Sequence, residues 1–222
     1  MANGNFAGGD GTKQNPYLIE DGFDLNSVRK GLNKHYKLIN DIDLDIPPFN
    51  EGEGWKPIGT INIENYFRGS FDGNFHTIHN LYINAPSKGS LSLFGYTTNS
   101  FSCKNLMLKN INIVGGLDIG GIGSIAGDYT NCHVEGMIRA SGNITSPYRK
   151  NCGFIVGRTG GIIRNCSAKG TIDIETDINK HYSLSNVGGI VGTYRNALMS
   201  NCYSQVTINA DFNTRFSGGT YG

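Results

Sequence analysis

The chain repeats a two-part unit, and that repeat limits what it can fold into more than any other feature. Segments ending in glycine after a small-apolar run recur as SLSLFG (Ser90–Gly95), IGSIAG (Ile122–Gly127), CGFIVG (Cys152–Gly157), VGGIVG (Val187–Gly192) and SGGTYG (Ser217–Gly222). Their closing glycines lie 32, 30, 35 and 30 residues apart. Each of the first four is followed by Asn, an apolar residue and a later Ile: NLMLKNINI from Asn105, NCHVEGMI from Asn131, NCSAKGTI from Asn165 and NCYSQVTI from Asn201. An earlier relative, NLYI, starts at Asn80, 25 residues before Asn105. A unit of roughly 25 to 36 residues built from short strands and turns cannot bury an apolar face alone, so neighbouring copies must stack to complete a core. No unit contains a ten-residue stretch with helical apolar spacing, which excludes helical-pair and horseshoe repeats.

A parallel β-helix satisfies these limits, each unit forming one coil with equivalent residues about 4.8 Å apart along the axis. In that register Leu81, Leu106, Cys132, Cys166 and Cys202 form an inward ladder. Asn80, Asn105, Asn131, Asn165 and Asn201 form a second at the preceding corner. Asn tolerates the left-handed backbone of a tight turn, and stacked Asn side chains can bond coil to coil. Cys at such a place acts as a small buried hydrophobe. Five cysteines cannot complete a disulfide framework, and without a Cys-x-x-Cys pair they are expected to be reduced.

Composition agrees with the repeat. Of 222 residues, 32 are Gly, 26 Asn and 24 Ile, against 6 Pro, which suits many short strands punctuated by turns. The charge balance of 19 basic and 18 acidic residues argues against nucleic acid as a partner. No run of about 18 apolar residues exists, so no membrane insertion is expected. The first ten residues lack a basic and an apolar signal region.

The GGIVG-type segments resemble the GLUG motif, a short Gly-apolar-apolar-Gly repeat of bacterial surface and phage-associated proteins. GDGTKQNPYLI (Gly9–Ile19), HYKLINDIDLD (His35–Asp45), GWKPIG (Gly54–Gly59) and FRGSFDGNFHTIHNLYI (Phe67–Ile83) resemble the leading coils that precede such repeats. The resemblance runs from Gly9 to Gly222 and implies an all-β, right-handed parallel β-helix of the adhesin, phage-tail or pectate-lyase-like kind. Phe75 and Phe154 depart from it, each standing where Gly is usual.

Residues 1–34 are expected to hold a strand and a capping helix, and residues 35–222 one continuous stack of coils. Within Asp21–Asn33, Asp24 can cap a short helix whose Leu25, Val28 and Leu32 share a face. That helix would plug the open end of the solenoid. Because Tyr221-Gly222 falls inside a new motif copy, a fragment, or a module covered by another domain or subunit, is expected.

Chemistry-bearing residues are sparse. Asp41, Asp43 and Asp45 alternate with Ile42, Leu44 and Ile46, which puts three carboxylates on one strand face. They are the catalytic candidates, and a Ca2+ site there is a further option, although Ile46 in place of Gly rejects an EF-hand loop. The same residues also suit the solvated outside of the first coil. His76 and His79, three apart on a strand, point to opposite faces and predict no metal site. Asp72-Gly73-Asn74 reads as a turn. Asp118, Asp128, Glu135, Asp173, Glu175 and Asp177 could supply carboxyl pairs, and Arg139, Arg149, Arg158 and Arg164 could supply a lyase base, but no pair is singled out. Nucleophile-elbow and phosphate-loop motifs are absent.

Tyr129, Tyr148, Tyr182, Tyr194 and Tyr203 lie in or beside the inter-element loops and are the expected sugar-stacking residues. The first reading is therefore a non-enzymatic recognition or adhesion module for a cell-surface glycan or host receptor, placed on a virion or a cell surface and open to homotrimer formation. A polysaccharide-degrading hydrolase or lyase and a purely structural spacer are the alternatives.

Overall fold

Alternation along the second element of the repeat puts every other side chain on one face, and that face is buried. In the strand Asp128–Ala140, Tyr129, Cys132, Val134, Ile138 and Ala140 all point inward. The computed structural model describes residues 5–141, 150–175, 184–195, 198–210 and 215–216. Within them three sheets run side by side, and every ladder joining two strands is parallel. The largest sheet contains Tyr17–Ile19, His35–Leu38, Ser70–Asp72, Ser102–Gly115, Asp128–Ala140, Ser167–Ile174 and Tyr203–Ala210 among its strands. A second holds Gly89–Leu91, Leu117–Gly120, Lys150–Gly153, Leu184–Gly188 and Arg215–Phe216. The third holds Gly123–Ile125, Val156–Thr159 and Val191–Tyr194. One coil visits the second sheet, then the third, then the first, which is the path of a parallel β-helix.

Two kinds of packing fill the interior. Toward the N-terminal coils, aromatic rings interlock: Phe67 lies 4.9 Å from Phe101 and Phe71 lies 4.9 Å from Phe94, centroid to centroid. Further along, a single aliphatic column takes over, with Ile83, Ile113, Ile138, Ile172 and Ile208 in direct register. Cys132 and Cys166 lie in a parallel column, and each thiol has two carbonyls within hydrogen-bonding reach, one in its own coil and one in the coil before. All five cysteines are free thiols.

The asparagine ladder forms as expected, with one change of membership. Asn131 Nδ2 donates to Asn105 Oδ1 at 3.0 Å, Asn165 to Asn131 at 3.1 Å and Asn201 to Asn165 at 3.2 Å. All four residues have φ between 52° and 54°. Below Asn105 the partner is the Asp72 carboxylate at 3.1 Å, and Asn80 instead bonds Asp43. The strand Ser102–Gly115 explains this. It carries a bulge, so Leu106 and Ile111 both face inward, and Tyr82 pairs with Asn112. Asn80 and Leu81 therefore belong to a column one corner further along.

Two other expectations shift locally. The helix Gly22–Ser27 is capped by Asp21, whose carboxylate accepts from the backbone N–H groups of Phe23 and Asp24. Asp24, expected as the cap, is buried and accepts from Glu20 N instead. Leu25 and Val28 enter the core as expected, and Leu32 packs against it. Phe75 adopts φ 65° on the surface, and Phe154 is buried. Among the described residues no helix is long and apolar enough to cross a membrane.

Candidate binding groove

The glycine-rich segments make the corner between the second and third sheets, and the outer side of that corner is concave. Hydrogen bonds set their register: Ile122 N donates to Ile155 O, and Ile155 N to Ile190 O. The equivalent copies are thus Ile119–Ser124, Cys152–Gly157 and Val187–Gly192, with Leu91 opposite Ile119. The alignment expected from closing glycines is three residues out at Ile122–Gly127 and one residue out at Ser90–Gly95. The copy at Ser217–Gly222 lies outside the described residues. Ile122, Ile155 and Ile190 point into the core, while the chain turns back so tightly that side chains have no room on the outer bend. A Cβ on Gly192 would sit 2.4 Å from Cys152 N, and one on Gly153 would sit 2.6 Å from Val191 Cα.

Two columns form the walls. The residue before each motif copy gives Ser90, Asp118, Asn151 and Asn186 in register, and the residues after it give Tyr96, Ile125, Arg158 and Thr193. Side chains bond both along and across the columns. Asn186 Nδ2 donates to Asn151 Oδ1 at 2.9 Å and to Thr193 Oγ1 at 2.8 Å. Asn151 Nδ2 donates to Asp118 Oδ1, and Thr193 Oγ1 donates to Asn151 Oδ1. Arg158 Nε lies 3.4 Å from Asp118 Oδ2. Burial pushes the Asp118 carboxyl above its ordinary value, while the Asn151 amide and the Arg158 guanidinium oppose that shift.

The enclosed space is about 780 Å³, with Arg195 and Thr159 at one end and Asn99 and Ile61 at the other. Ile61 is 76% exposed and stands on a loop that Arg68 braces by donating to the carbonyls of Ile63, Glu64 and Tyr66. Tyr66 stacks on Tyr96 with centroids 5.3 Å apart, stiffening the same wall. The part of the groove on the later coils is thus amide, hydroxyl, carboxylate and guanidinium, and the part around Ile61, Tyr96 and Ile125 is largely apolar. That combination suits a ligand with polar edges and an apolar face.

Most residues singled out in the sequence lie elsewhere. Asp41 accepts from Thr77 N at 2.9 Å and lies 3.0 Å from His76 Nδ1; Asp43 accepts from Asp45 N and Asn80 Nδ2; Asp45 accepts from Asn50 Nδ2. Asp41 and Asp43 stitch the first coil to its neighbour while Asp45 bonds within its own turn, and the bonded N–H groups hold Asp41 and Asp43 below the ordinary carboxylate value, which is wrong for a general acid. No group of three metal-ligating side chains occurs among the described residues. Tyr129, expected on the surface, is completely buried: its ring packs edge-on to Phe101 and its hydroxyl donates to Ala126 O, so it cannot stack on a sugar. Tyr194 is 38% exposed and Tyr203 64% exposed, outside the groove. Tyr148 and Tyr182 lie outside the described residues, as do Arg149 and Asp177. Asp118 and Arg158 were among the broader sequence candidates. The structure brings them together and adds Asn151, Asn186, Thr193 and Tyr96.

Fold and groove together define a parallel β-helix protein with a re-entrant glycine corner on its outer side. That corner carries a known signature: the family described as the GLUG motif matches residues 183–209, so this is a GLUG-motif β-helix protein. The chain is 41% identical over 105 residues to a protein of Evansella cellulosilytica provisionally named a Gly-rich membrane protein, covering 46% of this chain and 12% of that protein. It is 28% identical over 192 residues to the halomucin of Haloquadratum walsbyi, covering 83% of this chain and 2% of the relative. An immunoglobulin A1 protease of Streptococcus sanguinis is 32% identical over 161 residues, covering 69% of this chain and 8% of the protease. The chain therefore spans a small part of each of these relatives. A crystal structure from Bacteroides ovatus, of a protein provisionally named an immunoglobulin A1 protease, superposes with TM-score 0.55 over 97% of this chain and 87% of that one, at 20% identity. That likeness is one of fold.

Proposed function

We propose that the chain is a non-enzymatic recognition module at a cell surface, and that the groove holds an extended glycan. The carrying observation is the paired columns Ser90–Asp118–Asn151–Asn186 and Tyr96–Ile125–Arg158–Thr193, which present polar groups at one-coil intervals and give way to an apolar patch of Ile61, Tyr96 and Ile125. An extended peptide fits this site less well. The strand amides beneath the groove are already bonded to neighbouring coils and offer no edge for β-augmentation. A two-carboxyl hydrolase needs a second acid about 5 to 9.5 Å from the first, and Asp118 is the only acid among the described residues lining the groove. The relatives' names, a membrane protein, a halomucin and a protease, favour a cellular surface protein over a phage tail as the carrier.

The test is incubation of the purified protein with a panel of surface polysaccharides, scored for retention and for newly formed reducing or unsaturated ends. Retention without new ends is expected. New ends would replace this reading with a glycan-cleaving enzyme, and no retention at all would leave a spacer.

A further inference from the structure

We infer that the groove selects acidic glycans, with a sugar carboxylate seated between Arg158 and Arg195; this rests on the groove being a glycan site. Three charged side chains line the groove, Asp118, Arg158 and Arg195. Asp118 is satisfied internally. One oxygen takes the Asn151 amide, the other faces Arg158 Nε, and the side chain is 16% exposed. Arg158 is half exposed and meets Asp118 through Nε, which leaves the terminal nitrogens of its guanidinium fork for a ligand. Arg195 is exposed and forms no ion pair with any described residue. The groove's net formal charge is therefore +1, although the whole chain is nearly neutral.

The two arginines are placed to act together. Arg158 pairs with Thr193, two residues before Arg195 on the neighbouring coil, so the arginines stand diagonally across one inter-strand step, about 7–8 Å apart at the backbone. Arginine reaches well beyond that spacing, and its planar fork matches a carboxylate with two parallel hydrogen bonds. Concave, low-dielectric walls concentrate the field of the unpaired cation. Asn186 and Thr193, whose protons are spent within the network, offer oxygens that accept from sugar hydroxyls, while Ile61, Tyr96 and Ile125 cover the ring's apolar face.

The experiment compares retention of three uronate-containing glycans, polygalacturonate, alginate and hyaluronate, with their carboxyl-reduced counterparts, which keep the chain but lose the charge. It is run alongside the neutral glycans of the wider panel. Acidic forms are expected to bind and reduced forms to bind at least tenfold more weakly, with added salt weakening the acidic forms only. Arg195→Gln should lower acidic binding about tenfold, Arg195→Lys should keep an intermediate affinity, and both should melt with the parent because the side chain is exposed. Equal binding of charged and reduced forms, or binding confined to neutral glycans, would overturn the acidic inference while leaving glycan recognition in place. No binding to any glycan would remove both.

Discussion

Asn131 combines a backbone role and a side-chain role at one position. At φ 54° it occupies a region that costs an ordinary side chain about 1–2 kcal/mol. Its amide also joins the coils on either side, each hydrogen bond worth about 0.5–1.5 kcal/mol. Asn131→Ala loses both and should destabilise the protein by about 2–4 kcal/mol. Asn131→Gly keeps the backbone freedom and should cost about half as much. Equal losses in urea unfolding would mean the amide ladder alone matters. The cysteines beside this ladder should resist thiol reagents in the native state. Burial raises Cys132, the contact with the Cys132 thiol and then burial raise Cys166, and Cys202, only partly buried, should react first; Cys152, in the second sheet, is pushed by burial to about 12. The carboxylates predict opposite pH slopes. Asp41 and Asp43 are held low, so their contribution is present above the unfolded value of 3.8 and is lost as pH falls through their folded values. Asp118 is held high, so it costs stability as pH rises from 3.8 through its folded value. Asp118→Asn should flatten that loss on the rising side and leave the acid limb unchanged, as denaturation at a series of pH values would show.

At the scale of the element, the glycine corner determines both fold and groove. Gly153→Ala puts a methyl 2.6–2.7 Å from Val191 Cα, Gly192 N and Val156 O, all of them backbone, so the corner must open. A loss of about 1–3 kcal/mol is expected together with weakened glycan retention. Gly8→Ala, which meets only the Leu18 side chain at 3.4 Å, is the control for a glycine outside both motif and groove. The corner also shows what sequence could and could not reveal. The two-part repeat, the coil stack and the Asn and Cys columns were legible, because they follow from a pattern recurring at coil spacing. The groove is not, because the closing glycines suggest a register the coils do not adopt. Ile119–Ser124 ends in Ser124, so the glycine pattern points to Ile122–Gly127 and hides Asp118 as the counterpart of Asn151 and Asn186. The bulge at Asn110 displaced Asn80 and Leu81 in the same way. Tyr129 was misplaced because the alternation that buries it begins at Asp128, inside a segment read as loop.

Across the whole molecule, each coil touches only its neighbours, so stability should vary along the axis rather than be shared evenly. The strands Ser102–Gly115 and Asp128–Ala140 are flanked on both sides and carry fully buried residues such as Leu108, Ile113 and Ile138. Among the described residues, Tyr203–Ala210 pairs on one side only, and Val206, Ile208 and Ala210 are partly buried. Amide exchange should therefore be slowest in the first two strands and fastest in the last. Phe67→Ala sharpens the test. It removes a ring wedged between Tyr36, Phe94 and Phe101, a change that costs about 3–5 kcal/mol in a packed core. Exchange should quicken in His35–Leu38, Ser70–Asp72 and Ser102–Gly115, whose side chains share that cluster. Tyr203–Ala210, whose exchange is expected to be set by local opening, should keep its former rate. A uniform acceleration along all strands would mean that the coils open as one unit, and the nearest-neighbour account would fail.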